Sequence, residues 1–171
     1  MRYNSQYIYI GLGANQRSLS YRSIPNILNS VKKRLPKIGL RVIKTSNNWA
    51  SFPVPYSQIP VFINKVIICI SLKNETNPYF LLQDIKKLEK KMGRKYNYKS
   101  ISRVIDIDIL DFGGIISNKD IILPHPRIRS RKFVLKPLLT VDKNWKHPIC
   151  NSRVDILNFK NKSKEYLKEQ L

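Results

Sequence analysis

Apolar residues recur along the chain with two different periods, which predict strands and helices in turn. Residues 6–13, QYIYIGLG, predict a first strand that ends in glycines. A helical spacing follows, carried by Ile24, Ile27, Leu28, Val31 and Leu35. Two β-rich stretches, 39–52 and 61–72, are separated by a segment with three prolines, which requires a loop. We therefore predict a strand, a helix and then a long hairpin.

A second helix is predicted with a defined start and stop. Asn77 is a candidate N-cap, and Pro78 suits the first helical position. The apolar stripe is formed by Leu81, Ile85, Leu88 and Met92. Gly93 then ends the helix.

Residues 103–110, RVIDIDIL, predict the next strand, which a pair of glycines ends. Strand side chains alternate between faces, so Asp106 and Asp108 share one face. The opposite face carries Ile105, Ile107 and Ile109. Two like charges side by side destabilise a strand unless something positive compensates for them.

The predicted elements follow the order β-α-β-β-α-β, which is the order of a ferredoxin-like α+β sandwich. A helical and irregular segment follows, with a last helix from Val154 onward. No repeat or low-complexity linker divides the chain. We expect a single domain over residues 1–171, with a core of about 7–140 and a C-terminal extension of about 141–171.

The composition agrees with one globular domain, since the 171 residues are 42% hydrophobic. Thirty-two Lys and Arg against eleven Asp and Glu give a net charge of +21, which favours polyanionic partners such as nucleotides or nucleic acid. No leader-like or membrane-spanning apolar run is present, so we expect a cytoplasmic protein. Cys69 and Cys150 lack a paired spacing, and we expect both to be reduced.

The aspartate pair has two interpretations of about equal weight. Asp106 and Asp108 supply the hard oxygen ligands that magnesium accepts together with substrate phosphates. Alternatively, both simply face water. Arg94, Arg103 and the lysines of the intervening loop favour a phosphate site, although each alone would fit a solvated cationic loop. Glu89 either accepts a hydrogen bond from a nucleotide or pairs with Lys86.

A second cluster lies in the segment LPHPRIRSRKFVLKPL, residues 123–138. His125 stands between two prolines, and arginines recur at every second position up to Arg131, just before Phe133. This pattern suggests phosphate contacts beside a surface for ring stacking. The alternatives are a structural histidine and a phenylalanine that packs in the core.

A third cluster is FIN, residues 62–64, in which Phe62 and Asn64 share a strand face with apolar neighbours. A buried amide needs partners, and it could recognise the edge of a flat heterocycle stacked on Phe62. A satisfied core asparagine is the alternative. The glycines of GLGAN, residues 11–15, allow a ligand to approach the backbone, although a tight turn needs the same residues.

Taken together, GLGAN, FIN, LEKKMGR, RVIDIDIL and LPHPRIRSRKFVLKPL, spread over residues 7–140, resemble the 6-hydroxymethyl-7,8-dihydropterin pyrophosphokinases of folate synthesis. The resemblance implies a ferredoxin-like α+β fold. It also implies transfer of pyrophosphate from ATP to the hydroxymethyl group of the pterin, with release of AMP.

The resemblance also assigns roles to individual residues. It implies that Asp106 and Asp108 bind two magnesium ions and that they act in catalysis with Arg94 and Arg103. The implied pterin-binding residues are Gly13, Asn15, Ser51, Val54, Phe62, Asn64 and Phe133. The implied nucleotide-binding residues are Glu89, Arg94, Arg103, Ile109, His125 and Arg131.

The sequence departs from the family at one loop. Tyr96 stands where the family usually has a second arginine, and residues 97–102 lack an arginine–tryptophan pair. Two alternatives therefore remain, namely a family member with impaired catalysis and a basic ferredoxin-like RNA-binding module. The second is disfavoured, because the carboxylate pair would repel a phosphate backbone. We expect a monomer with ATP and the pterin as its partners.

Overall fold

The computed structural model describes residues 7–18, 20–52, 60–73, 75–95, 102–163 and 166–170. The strands are β1 (Ile8–Ala14), β2 (Leu40–Thr45), β3 (Asn48–Phe52), β4 (Phe62–Ser71), β5 (Asp106–Phe112), β6 (Ser117–Asn118), β7 (Ile122–Leu123) and β8 (Tyr166–Gln170). The α-helices are α1 (Ile24–Arg34), α2 (Pro78–Lys91), α3 (Lys132–Val141) and α4 (Val154–Lys160). Short 3-10 helices occupy Leu35–Ile38 and Ile128–Ser130.

The main sheet is antiparallel in all of its described pairings, in the order β5-β1-β4-β3-β8, with β2 also paired to β4. The predicted α+β class and the order of its core elements are confirmed. One predicted strand, 39–52, is instead two strands. The Oγ of Ser46, between them, accepts a hydrogen bond from the Val66 amide at 3.0 Å, so a side chain interrupts the ladder. The aspartate strand begins at Asp106 rather than at Arg103.

The sheet separates two hydrophobic cores. The first lies against α1 and α2 and includes Ile107 and Ile109 of β5. The second lies against α3 and the C-terminal segment and includes Val66 and Leu110. The predicted alternation is therefore confirmed, because the isoleucines of β5 enter the first core and the aspartates face the other way.

Helix α2 is capped as predicted. The Asn77 Oδ1 accepts a hydrogen bond from the Tyr79 amide at 2.8 Å, and Pro78 occupies the first turn. Gly93 has a φ of 95°, the left-handed conformation that ends a helix at little cost to glycine. The start of α2 and its end next to Arg94 are thus set by local sequence.

The C-terminal extension packs on the second core through polar contacts to the sheet. The Trp145 Nε1 donates to the Asp111 Oδ2 at 2.8 Å, and the Tyr9 hydroxyl donates to the Asp142 Oδ2 at 2.7 Å. The last helix begins at Val154, as predicted. Strand β8 was not predicted. In the described part of the chain, no helix is long and apolar enough to cross a bilayer.

Lys65 carries a charge in a buried position of β4. It is 7% exposed, and on β4 it lies between Ile63 and Ile67 of the first core. Burial, followed by the nearby charge of Lys32, lowers the pKa of Lys65 below its ordinary 10.5. Because the unfolded chain then binds more protons, stability rises with pH between the lowered pKa and the ordinary one.

We expect Lys65→Met to raise the free energy of unfolding at pH 7 by about 1 kcal/mol, because it removes a charge from an apolar setting. The gain should shrink as the pH approaches 10. Urea unfolding at several pH values measures it, with Lys87→Met, whose side chain is 74% exposed, as the control. A loss of stability in Lys65→Met would show that the ammonium group is satisfied.

Candidate active site

A pocket opens on the face of the sheet that carries the second core, between β1, β4, β5 and α3. Its lining brings together nine of the residues that the sequence singled out, namely Gly13, Ser51, Phe62, Asn64, Arg103, Asp106, Asp108, Arg131 and Phe133. Gly11, a glycine of the GLGAN motif, also lines the pocket, together with Leu12 and Lys65, and Val66, Leu110 and Val134 contribute an apolar floor. The sequence analysis did not assign Val66, Leu110 or Val134 to the site, and their only signal was their place on the same faces as the predicted residues.

Two glycines of β1 make room between the aspartates and the rest of the pocket. Gly13 is the register partner of Asp106 on one side and of Asn64 on the other, and Gly11 is the partner of Asp108. A Cβ at Gly13 would stand 3.4 Å from the Asn64 Oδ1. The glycines therefore leave the floor open between the asparagine and the carboxylates.

Two arginines neutralise the charge of Asp106. The Arg94 Nη1 donates to the Asp106 Oδ1 at 2.5 Å, and the Arg103 Nη1 donates to the Asp106 Oδ2. Burial by itself would raise the pKa of Asp106, but the charges of the two arginines outweigh it and hold the pKa below its usual range. The two guanidinium groups thus compensate the charge of Asp106, which is one half of the repelling pair inferred from the sequence.

Asp108 is held more loosely. Its Oδ2 lies 3.5 Å from the Arg131 Nη1 and 3.7 Å from the His125 Nε2, and its side chain is 32% exposed. These distances exceed those of strong charge-assisted hydrogen bonds. Asp108 therefore presents a carboxylate to the pocket that retains the capacity to bind a cation.

His125 is held in one orientation by the backbone around it. Its amide donates to the Leu110 carbonyl at 2.8 Å, and its Nδ1 accepts from the Arg127 amide at 3.1 Å. The Nδ1 is thus an acceptor, which places the proton of the neutral ring on Nε2. Burial is the main cause that lowers the pKa of His125, so the ring is neutral at pH 7 and acts as a donor toward Asp108.

Glu89 is fully buried, and it joins α2 to the aspartate strand. Its Oε1 accepts from the Ile107 amide at 2.7 Å and from Arg94, and its Oε2 accepts from the Lys86 Nζ at 3.0 Å. The pairing with Lys86, one of the two alternatives from the sequence, is present. Contact with a nucleotide remains a prediction.

At the other end of the pocket, Asn64 and Ser51 form a polar pair among aromatic rings. The Asn64 Nδ2 donates to the Ser51 Oγ at 2.8 Å, and both residues are buried. Phe62 and Phe133 line the same pocket, and the Arg131 guanidinium lies over the Phe133 ring, 5.4 Å from its centroid. A planar ring between two phenylalanines would meet an amide at its edge.

Two of the predicted pocket residues, Asn15 and Ile109, are absent from the lining of the pocket. The Asn15 Oδ1 accepts from the Arg103 amide at 2.6 Å and its Nδ2 donates to the Pro60 carbonyl, so Asn15 holds the backbone that carries Arg103. The Ile109 side chain is buried in the first core, on the opposite face of the sheet. Val54 lies outside the described residues.

The described residues contain no group of three or more histidine, cysteine, aspartate or glutamate side chains placed to hold a metal. Magnesium needs fewer protein ligands than three, since it commonly uses one or two carboxylates together with phosphate and water. The donor set of Asp106 and Asp108 fits this type of site.

Comparison with known proteins relates the whole core to one family. The profile of the 7,8-dihydro-6-hydroxymethylpterin-pyrophosphokinases (HPPK) matches residues 9–143. The 2-amino-4-hydroxy-6-hydroxymethyldihydropteridine pyrophosphokinase of Aquifex aeolicus is 36% identical over 145 residues, which cover 83% of this chain and 84% of that protein. The folic acid synthesis protein fol1 of Pneumocystis carinii is also 36% identical, over 85% of this chain.

The chain spans only 19% of the length of the Pneumocystis protein and 20% of the related Dictyostelium discoideum protein. The fold is shared with wild-type Plasmodium falciparum HPPK-DHPS, whose crystal structure holds pterin and p-hydroxybenzoate. That superposition has a TM-score of 0.70 at 17% identity and covers 94% of this chain and 42% of the other.

Proposed function

The chain belongs to the 7,8-dihydro-6-hydroxymethylpterin-pyrophosphokinase family, and we propose on this premise that it transfers pyrophosphate from ATP to the hydroxymethyl group of 6-hydroxymethyl-7,8-dihydropterin. AMP is the second product, and the reaction is a step of folate biosynthesis. One observation carries the proposal. A pair of carboxylates, Asp106 and Asp108, opens into the same pocket as the amide of Asn64 and the rings of Phe62 and Phe133.

The pterin binds at the Asn64 end of the pocket. Phe62 and Phe133 stack on the two faces of its ring, while Asn64 and Ser51 hydrogen-bond its polar edge. The short Asn64–Ser51 bond supports this assignment, because it fixes the amide before the ligand arrives. Gly13 leaves the path from the ring to the carboxylates clear, so the hydroxymethyl group points toward Asp106.

Asp106 and Asp108 would hold the magnesium that accompanies ATP, and the bound ion would neutralise charge on the phosphates. Asp108 has capacity for a cation because its present contacts are long. Arg103, whose side chain is 43% exposed, would turn from Asp106 to a phosphate oxygen and leave part of that carboxylate available. Two magnesium ions, a monomeric state and a cytoplasmic location all remain predictions.

The residues of the chain position the reactants and compensate charge. The pterin hydroxyl oxygen forms a bond to the β-phosphorus, and the bond from that phosphorus to the α,β-bridging oxygen breaks. AMP leaves with the bridging oxygen, and the proton of the pterin hydroxyl is released to solvent. Arg103 and Arg131 donate to phosphate oxygens, and His125 donates through its protonated Nε2. The ring is poorly placed to act as a base, since its Nδ1 already accepts from the Arg127 amide.

A direct assay tests the proposal. Purified chain, Mg-ATP and the dihydropterin should yield AMP and the pterin pyrophosphate in equal amounts, which phosphorus NMR distinguishes from ADP and a monophosphate. Formation of ADP would contradict pyrophosphate transfer. Binding of ATP without any AMP would instead identify a family member with impaired catalysis, the outcome that Tyr96 suggests.

The RNA-binding alternative has no structural support. The face that an RNA strand would use carries Asp106 and Asp108, and an extended phosphate backbone there would meet their negative charge. Membership of the pyrophosphokinase family points to a mononucleotide instead.

Asn64→Ala should raise the KM for the pterin by about ten- to hundredfold, because it removes a buried hydrogen-bonding group from the ring edge. The KM for ATP should change by less than about twofold, since Asn64 lies at the other end of the pocket from Arg103. Steady-state kinetics with each substrate varied in turn measure the two values. Asn118→Ala, at an exposed position of β6, is the control. Equal effects on both substrates would contradict a role confined to the pterin.

A further inference from the structure

The last described part of the chain touches both walls of the pocket. We call residues 161–163 together with 166–170 the C-terminal strap. The Asn161 Nδ2 donates to the Arg129 carbonyl at 3.1 Å, and the Lys132 Nζ donates to the Ser163 carbonyl at 2.9 Å. These contacts fix the strap to the wall that carries Arg131 and Phe133.

The other end of the strap is strand β8, which extends the sheet beside β3. The pairing has five register positions, among them Ser51 with Leu167 and Phe52 with Tyr166. The Phe52 and Tyr166 rings lie 5.2 Å apart, and the Asn47 Nδ2 donates to the Glu169 Oε1 at 3.0 Å. The strap is thus attached to the strand that supplies Ser51 to the pocket.

Strand β3 needs this support more than its neighbours do. It pairs with β4 over three register positions, whereas β1 pairs with β4 over seven. Without β8 it would be a short edge strand with one row of unpaired backbone groups. Ser51 accepts the hydrogen bond that fixes the Asn64 amide. A displacement of β3 would therefore change the position of that amide directly.

The strap has little packing of its own. Of the residues of β8, only Leu167 is partly buried and the other four are exposed. The attachment of β8 to β3 therefore depends on main-chain pairing, on the Asn47–Glu169 hydrogen bond and on the contact of Tyr166 with Phe52. A substitution at Tyr166 should act locally on β3, with little effect on the two cores.

We propose that the C-terminal strap positions the two walls of the pterin pocket relative to each other, with Tyr166 as its principal positioning residue. This inference rests on the proposed function, because it assumes that the Asn64 end of the pocket receives the pterin. The strap joins the Phe133 wall to the Ser51 wall from outside, and it makes no contact with ligand.

Tyr166→Ala in the full chain should weaken binding of 6-hydroxymethyl-7,8-dihydropterin by roughly three- to tenfold, the scale set by loss of one aromatic pair. The intrinsic fluorescence of the pterin reports its Kd without turnover. The KM for ATP and the urea midpoint should stay close to wild type. Tyr166→Phe, which keeps the ring, should restore the wild-type Kd.

Phe159→Ala is the matched control, since Phe159 is also an aromatic residue of the C-terminal region and is 89% exposed. An unchanged pterin Kd in Tyr166→Ala would contradict the proposed role of the strap. An equal loss of pterin affinity in Phe159→Ala, or equal effects of Tyr166→Ala on ATP and on pterin, would contradict it as well. Wild-type chain that binds no pterin would contradict both proposals. If the wild-type chain turns over its substrates and Tyr166→Ala has an unchanged pterin Kd, the role of the strap is contradicted and the proposed function is not.

Discussion

Asp108→Ala and Asp106→Ala should each lower the rate of AMP formation by roughly 1,000-fold or more, because a transfer between anionic groups depends on positioned charge compensation. Asp108 presents the more available carboxylate, with its nearest cationic nitrogen at 3.5 Å. Asp106 holds Arg94 and Arg103 in place. A quenched-flow or coupled assay for AMP at saturating ATP and pterin measures the loss.

The two variants should be distinguishable by their folding. Asp106→Ala removes the carboxylate that pairs with both Arg94 and Arg103 and should also lower the urea midpoint, whereas Asp108→Ala should leave it nearly unchanged. Asp120→Ala removes an exposed carboxylate outside the pocket and serves as the control for lost charge. Robust AMP formation in either pocket variant would remove that carboxylate from the proposed role.

Arg94→Met should lower the free energy of unfolding by about 3 kcal/mol, since it leaves a buried carboxylate without its main cationic partner. Glu89 has no side-chain exposure, while Arg94 is 12% exposed and bridges Glu89 and Asp106. The remaining contacts of Glu89, to Lys86 and the Ile107 amide, do not replace a guanidinium. Urea unfolding followed by circular dichroism measures the change.

The double variant Glu89→Gln with Arg94→Met distinguishes two causes of destabilisation. One is loss of the Arg94 contacts, and the other is burial of the Glu89 charge without its guanidinium partner. The free energy of unfolding of the double variant should lie above that of Arg94→Met alone, because the amide needs no counter-charge. Lys90→Met, an exposed cation on the same helix, is the control for charge removal. A loss below about 1 kcal/mol in Arg94→Met would mean that water reaches Glu89 and that the pair is not structural.

The core elements were predictable because each has its own local signals. The cap at Asn77, the proline after it and the stripe from Leu81 to Met92 specify α2 without reference to the rest of the chain. The alternation in RVIDIDIL likewise placed the isoleucines in one core and the aspartates on the opposite face. These patterns sufficed for the α+β class.

Features that depend on tertiary partners were not predictable. Strand β8 lies in a charged sequence without alternation, and it forms because β3 offers an open edge. The break between β2 and β3 arises from the Ser46 hydroxyl, which bonds to Val66 twenty residues away. Both depend on contacts that the order of residues does not reveal.

The sequence predicted most of the residues that line the pocket, but it did not predict the contacts of every one of them. Nine predicted residues line one pocket, but Glu89 and Asn15 bond to other parts of the protein and Ile109 faces away. The sequence alone left magnesium and water about equally weighted as the surroundings of the aspartates, and it did not predict their ion pairs with arginines. In the folded chain two arginines already compensate Asp106, an arrangement that depends on the meeting of α2 and β5.

The most direct test of the account is a crystal structure of the chain with Mn²⁺, an α,β-methylene analogue of ATP and the dihydropterin. Anomalous scattering should place manganese against the Asp106 and Asp108 oxygens, with the pterin between Phe62 and Phe133 and Arg103 turned to a phosphate. A saturated complex with no metal at these carboxylates, or with the nucleotide outside this pocket, would contradict the account.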